Sequence, residues 1–267
     1  MPATNAITPE KLYRLLGLAN SPNILDLRDE PARLIPGAIP SPAGIPPAWA
    51  AGRCVLVCED GRGASPGAAA WLRASGRSAE LLDGGFAAWT ATGLPTVDAA
   101  KLPPRDSEGR TRWVTRARPK VDRIACPWLI RRFVDPGAIF LFVAASELET
   151  VAARYDAAVF DAEGVFWSHR GDLCTFDTML AELGLDGVEA LARLAPIVRG
   201  ADTARPELAP QAAGLLAASL GLSRLYSDDH EQLEAGLALY DAFYRWGRDA
   251  VDETHDWVSH APRKRRP

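Results

Sequence analysis

Cysteine, histidine and methionine are scarce in this chain, with four, four and two among 267 residues. Four cysteines are too few for a disulfide scaffold, so a reducing cytoplasm is the expected compartment. No run approaches the roughly 18 uninterrupted apolar residues of a membrane span, and the first thirty residues lack a secretory hydrophobic segment. Cys-x-x-Cys pairs and His-Glu-x-x-His are missing, which removes the most diagnostic zinc signatures. There is no internal repeat and no low-complexity tract, which argues against solenoid and disordered classes. Strong charge of one sign is also missing, the formal net charge being −4. What remains is a globular composition, 48% hydrophobic and 24% charged, with length for nearly two domains at about 150 residues each.

The boundary is expected between Pro95 and Arg112, where three prolines and few large apolar residues interrupt all periodicity. The resulting division is a first domain over 1–97, a linker over 98–111, a second domain over 112–260 and a basic tail over 261–267. The first domain alternates helix and strand. Thr8-Pro9-Glu10 opens a helix, and Asn23–Leu27, Cys54–Cys58 and Ala79–Leu82 read as strands. Helices are expected from Ser65-Pro66 to about Leu72 and over Phe86–Thr92. Apolar strands separated by helices predict an α/β domain with a parallel sheet covered on both faces.

In the second domain, Arg112–Thr115, Ala138–Val143, Ala157–Phe160 and Val165–Trp167 read as short strands. One helix is expected to start with Cys126 at the N-cap and Pro127 at its first position. Ser146-x-x-Glu149 reads as a capping box. Beyond Thr175 the pattern is helical only, over about 175–183, 187–199, 207–220 and 228–253, which predicts a mostly helical α+β domain.

The strongest local signal is strand, cysteine, glycine-containing loop and helix in VLVCEDGRGASPGAAAWL. It puts Cys58 at the carboxyl end of a parallel strand, where open α/β sheets bind ligands. Backbone amides of the loop Glu59, Asp60, Gly61, Arg62, Gly63 and Ala64, with the helix start behind them, would stabilise a thiolate. A buried structural cysteine is the plain alternative. The segments LDLRDE, IPGAIPSP, VLVCEDG and LLDGGFAAWTATGLP resemble a rhodanese domain, the sulfurtransferase fold. That resemblance implies that Cys58 takes a sulfane sulfur from a small donor, carries it as a persulfide and yields it to a thiol acceptor. It implies no cofactor for this step. Arg62 lies one position earlier than the usual arginine of that family and is read as the partner neutralising Glu59 and Asp60.

Residues 110–132 carry eight arginines and lysines against Asp122 alone, a local net of +7 in an acidic protein. All four histidines fall beyond residue 168. His169 and Cys174 flank a polar turn, and Asp229 and His230 open the final helix. Imidazole, carboxylate and thiolate in such a set suit a transition metal or zinc, although Asp228 and Asp229 are equally good helix-start residues. Trp113 and Trp128 interleave with arginines as in some base-stacking surfaces. The sequence pI of 5.7 and the lack of a helix-turn-helix in the first half argue against a nucleic-acid partner.

The segments WVTRARPKVDRIACPWLIRRFVDP, SHRGDLCTFDTMLAELGL, IVRGAD and SDDHEQLEAGLALYDAFYRW resemble the chromate-resistance protein family. The resemblance implies a link to a chromate efflux pump, and some members act as chromate-responsive regulators. Chromate is a tetrahedral dianion, so Arg116, Arg118, Lys120 and Arg123 ahead of a helix start are expected to hold it, with Cys126 as a low-pKa thiol beside it. The competing reading for these residues is a charged strand edge with a buried cysteine. The function expected from both halves is cytoplasmic, membrane-free, sulfurtransferase-like chromate resistance. Its competitor is a chromate- or redox-sensing protein without turnover.

Overall fold

A computed structural model describes residues 5–254. The chain runs β1 (Ala6–Ile7), α1 (Pro9–Tyr13), β2 (Asn23–Asp26), β3 (Arg33–Leu34), β4 (Ala38–Pro40), β5 (Cys54–Val57), α2 (Ala64–Ala74), β6 (Ala79–Leu82), α3 (Gly85–Ala91) and β7 (Val97–Asp98). It continues through β8 (Arg112–Arg116), α4 (Asp122–Phe133), β9 (Ile139–Val143), α5 (Leu148–Tyr155), β10 (Ala158–Val159), α6 (Thr175–Glu182), α7 (Glu189–Asp202), α8 (Ala212–Leu225) and α9 (Asp229–Asp249). The basic tail, together with His255 and His260, lies outside the described residues.

The first sheet has the order β1-β6-β5-β2-β4, and every pairing in it is parallel. β5 is its middle strand, and all four residues of Cys-Val-Leu-Val are buried. A strand covered on both faces needs apolar residues at every position, which explains the unbroken run. From β2 the chain moves to β4 on one side and then to β5 on the other. The sheet therefore switches direction between β2 and β5, and a crevice opens beyond their carboxyl ends.

A second, three-stranded sheet has the order β10-β8-β9 and is also parallel throughout. This corrects the α+β expectation for residues 112–170: α4 and α5 are crossover helices between parallel strands, and only the chain beyond Thr175 is purely helical. The strands were too short to show in the sequence whether they pair parallel or antiparallel, since β10 has two residues. Here the switch falls between β8 and β10.

A second correction concerns α4. It begins at Asp122, four residues before the expected N-cap, so Cys126 and Pro127 lie inside it. The expected capping box at Ser146 is also displaced. Glu147 accepts the Ala144 N–H at 3.3 Å instead, and α5 follows from Leu148.

The segment 98–111 is more ordered than its composition predicts. β7 pairs antiparallel with β3, and the Asp106 carboxylate accepts the amides of Glu108 and Arg110, each at 2.9 Å. The two halves of the chain share one continuous apolar cluster, from Ile7 and Leu12 through Trp89 to Trp128, Phe133 and Tyr244. The Gly37 amide donates to the Phe133 carbonyl at 2.6 Å, and the Arg248 guanidinium donates to the Arg14 carbonyl at 2.9 Å. At Gly17, φ is +72° and an added Cβ would lie 2.4 Å from the Phe133 ring and 2.7 Å from Tyr244, so only glycine fits this joint.

Candidate functional sites at two sheet edges

Cys58 follows β5 directly, and its Sγ lies 2.9 Å from the Ser65 hydroxyl on the first turn of α2. Burial alone raises a thiol's pKa. Here the Ser65 hydroxyl and the backbone amides of Ser65, Gly63 and Gly61 outweigh it, and the net direction is downward. The sulfur is thus cradled by amides of Gly61, Gly63 and Ser65. Glu59, Asp60 and Ala64, expected in that cradle, do not supply its donors, and Ser65 was missed although Ser65-Pro66 marks the helix start.

The carboxylates of the loop are occupied elsewhere. Glu59 reaches the Arg28 guanidinium at 3.6 Å, and Asp60 accepts the Arg62 amide at 2.9 Å. Arg28 itself is fixed by buried Asp26 at 2.7 Å and lies 3.5 Å from the centre of the Phe86 ring. The neutralising cation of this loop is therefore Arg28, from the carboxyl end of β2. The exposed Arg62 side chain forms no ion pair among the described residues. The Gly84-Gly85 turn closes the other side: Phe86 and Ala87 amides donate to the Cys58 and Glu59 carbonyls, both at 2.9 Å. A Cβ on Gly85 would sit 2.4 Å from the Cys58 carbonyl oxygen, and its φ is +64°.

The remaining cysteines differ. Cys54, Cys126 and Cys174 are 0% exposed, against 7% for Cys58. Burial pushes each of their thiols upward, reinforced for Cys126 and Cys174 by the nearby Asp122 carboxylate. Cys126 is thus an inert core residue on the inner face of α4, which corrects the expected low-pKa thiol at a helix end.

The +7 segment is compensated by acids, most of them from distant parts of the chain. Arg110 pairs with Asp106, Arg131 with Glu234 and Arg132 with Asp241. Arg118 donates to the carbonyls of Tyr226 and Ser227, both at 3.0 Å, and caps the end of α8. Arg116 and Arg123 both contact Asp161 Oδ2 at 3.2 Å. Of the four basic residues expected to converge on an oxyanion, Arg116 and Arg123 thus meet at Asp161, while Arg118 is engaged at the end of α8. Arg116 lines a cleft of about 410 Å³ together with Asp161, Glu163, Ser168 and His169.

That cleft holds an arrangement the sequence pattern did not reveal. His169 Nε2 lies 3.2 Å from Asp202, 3.5 Å from Asp161 Oδ1 and 3.6 Å from Asp122 Oδ2. Asp122 opens α4, Asp161 follows β10, Asp202 ends α7 and His169 sits in the loop before α6. Asp122 is fully buried and accepts amides from Thr175 at 2.6 Å and Phe176 at 3.2 Å. Burial, and then the neighbouring Asp202 and Asp161 charges, push its carboxyl well upward. Donor atoms of Asp122, His169 and Asp202 all fall within 4.8 Å of one another. The metal set expected from the sequence does not form. Asp229 accepts the Arg118 amide at 3.2 Å, His230 packs edge-on against Phe142, and Cys174 donates to Asp177 at the start of α6. Only His169 of that set belongs to the cluster.

A family model described as ChrB, C-terminal domain, matches residues 113–247. Protein ChrB of Cupriavidus metallidurans is 40% identical over 157 residues, which cover 57% of this chain and 46% of that protein. The chain thus spans less than half the length of this relative. No solved structure matches the chain. Among the described residues, no helix is long and apolar enough to cross a membrane.

Proposed function

We propose that this chain, which belongs to the ChrB C-terminal domain family, is a cytoplasmic chromate-resistance protein whose first half carries rhodanese-like thiolate chemistry on Cys58. The reading includes a functional link to a chromate efflux pump. One observation carries the chemistry: Cys58 Sγ sits at the switch point of a parallel sheet, 2.9 Å from Ser65 Oγ and within a ring of inward amides. Such a site favours the thiolate, the nucleophilic form of cysteine. In the proposed step, the thiolate attacks the outer sulfur of a small sulfane donor. The donor's sulfur–sulfur bond breaks, its remainder leaves as sulfite or a thiolate, and Cys58 becomes a persulfide. An acceptor thiolate then takes the outer sulfur and returns Cys58 to the thiolate, so no electron is left over.

Mass spectrometry of the protein after treatment with thiosulfate or a low-molecular-weight persulfide tests this reading. The expected result is one added sulfur on Cys58 that disappears in Cys58→Ser. Sulfur uptake that persists in Cys58→Ser, or no uptake from either donor, removes sulfur transfer and leaves a thiolate that senses without turnover.

A further inference from the structure

We propose that Asp122, His169 and Asp202, with Asp161 at their edge, form a binding site for one divalent first-row metal ion whose open side faces the cleft below Arg116. Two donors held at right angles on an ion at about 2.1 Å lie roughly 3.0 Å apart, and tetrahedral donors lie slightly further apart. His169 Nε2 stands 3.2–3.6 Å from one oxygen of each of the three carboxylates, the nitrogen-to-oxygen spacing that a shared ion would give. None of these three contacts is a hydrogen bond. One donor atom each of Asp122, His169 and Asp202 lies within 4.8 Å of the other two, close enough for a single ion to draw all three together.

The surroundings fix the donors and select the class of ion. Asp122 is held by two amides of the α6 start, Asp161 by Arg116 and Arg123 through Oδ2 and by the Thr175 hydroxyl, which donates to Oδ1 at 3.2 Å, and Asp202 by the Asp122 amide at 3.4 Å. Asp122 and Asp161 are thus positioned by contacts outside the cluster, as metal ligands commonly are. One imidazole with carboxylates suits Mn²⁺, Fe²⁺ or Zn²⁺ rather than a thiolate-bound ion, because Cys126 and Cys174 are sealed in the core. The location repeats the logic of the Cys58 site: Asp122 follows β8, Asp161 follows β10, and the parallel sheet switches direction between those strands. Three ligands with an open side leave room for water or an oxyanion, and Arg116 stands at that opening. This site is independent of Cys58.

The test uses the full chain without a histidine tag, stripped with chelator and titrated with Mn²⁺ while the electron paramagnetic resonance signal of the free ion is followed. About one equivalent is expected to bind, with Zn²⁺ competing for it, and His169→Gln and Asp202→Asn are each expected to weaken binding at least about tenfold. His169 is exposed, so its replacement leaves the fold intact, which circular dichroism verifies. His230→Gln and Cys58→Ser are expected to bind as the parent does. Failure of both Mn²⁺ and Zn²⁺ to bind overturns the proposal. Binding undiminished by either ligand variant overturns it equally.

Discussion

Among single residues, Ser65 and Arg28 matter more to Cys58 than the residues adjacent to it in sequence. Ser65→Ala removes the hydroxyl 2.9 Å from the sulfur and is expected to raise the Cys58 pKa, slowing its alkylation severalfold at neutral pH. Arg62→Ala, at an exposed side chain, is expected to leave that rate unchanged; iodoacetamide kinetics on the two variants separate the readings. Because the folded pKa of Cys58 is lowered, its ionisation stabilises the fold above the ordinary thiol range. That contribution is lost as pH falls through the lowered value. Cys58 itself was legible because strand, loop and helix start are all local signals. Arg28 was not, since it reaches the loop from a strand thirty residues earlier, and Ser65 was passed over as a helix-start residue. The His169 cluster was hidden more deeply: its carboxylates come from positions 122, 161 and 202, with no spacing to betray them.

At the level of elements, most helices and apolar strands were legible, and the failures share a physical cause. Cys126-Pro127 resembles a helix start, yet tertiary contacts extend α4 back to Asp122, whose carboxylate binds the amides at the start of α6. Likewise, the sequence shows eight basic residues in one stretch but not the acids that meet them from α9 and from the loop after β10. The Gly84-Gly85 turn before α3 is the element that braces the cysteine loop. Gly85→Ala is expected to destabilise the protein by about 1–3 kcal/mol, from a positive-φ alanine and its clash with the Cys58 carbonyl. Chemical denaturation measures the loss, and Cys58 reactivity should fall with it.

Across the whole molecule, the two halves that composition separated are joined through one core. Thermal unfolding is therefore expected as a single transition followed alike by tryptophan fluorescence and far-ultraviolet circular dichroism, whereas independent halves would give two. Tyr244, packed at the Gly17 joint, is pushed by burial to a pKa of about 12 from its usual 10.0. A raised acid favours its neutral form, so this contribution to stability is present below pH 10 and lost between about 10 and 12. Tyr244→Phe should flatten that part of the stability profile. One thiol of the four, Cys58 at the carboxyl end of the middle strand of the first sheet, is the activated one. Site-resolved alkylation of all four cysteines in the folded chain, followed by mass spectrometry from pH 5 to 9, tests it most directly. Cys58 is expected to be labelled first, with a midpoint below that of an ordinary thiol, while Cys54, Cys126 and Cys174 react only on unfolding. Labelling of Cys126 or Cys174 at a comparable rate, or a Cys58 midpoint no lower than that of a free thiol, would contradict it.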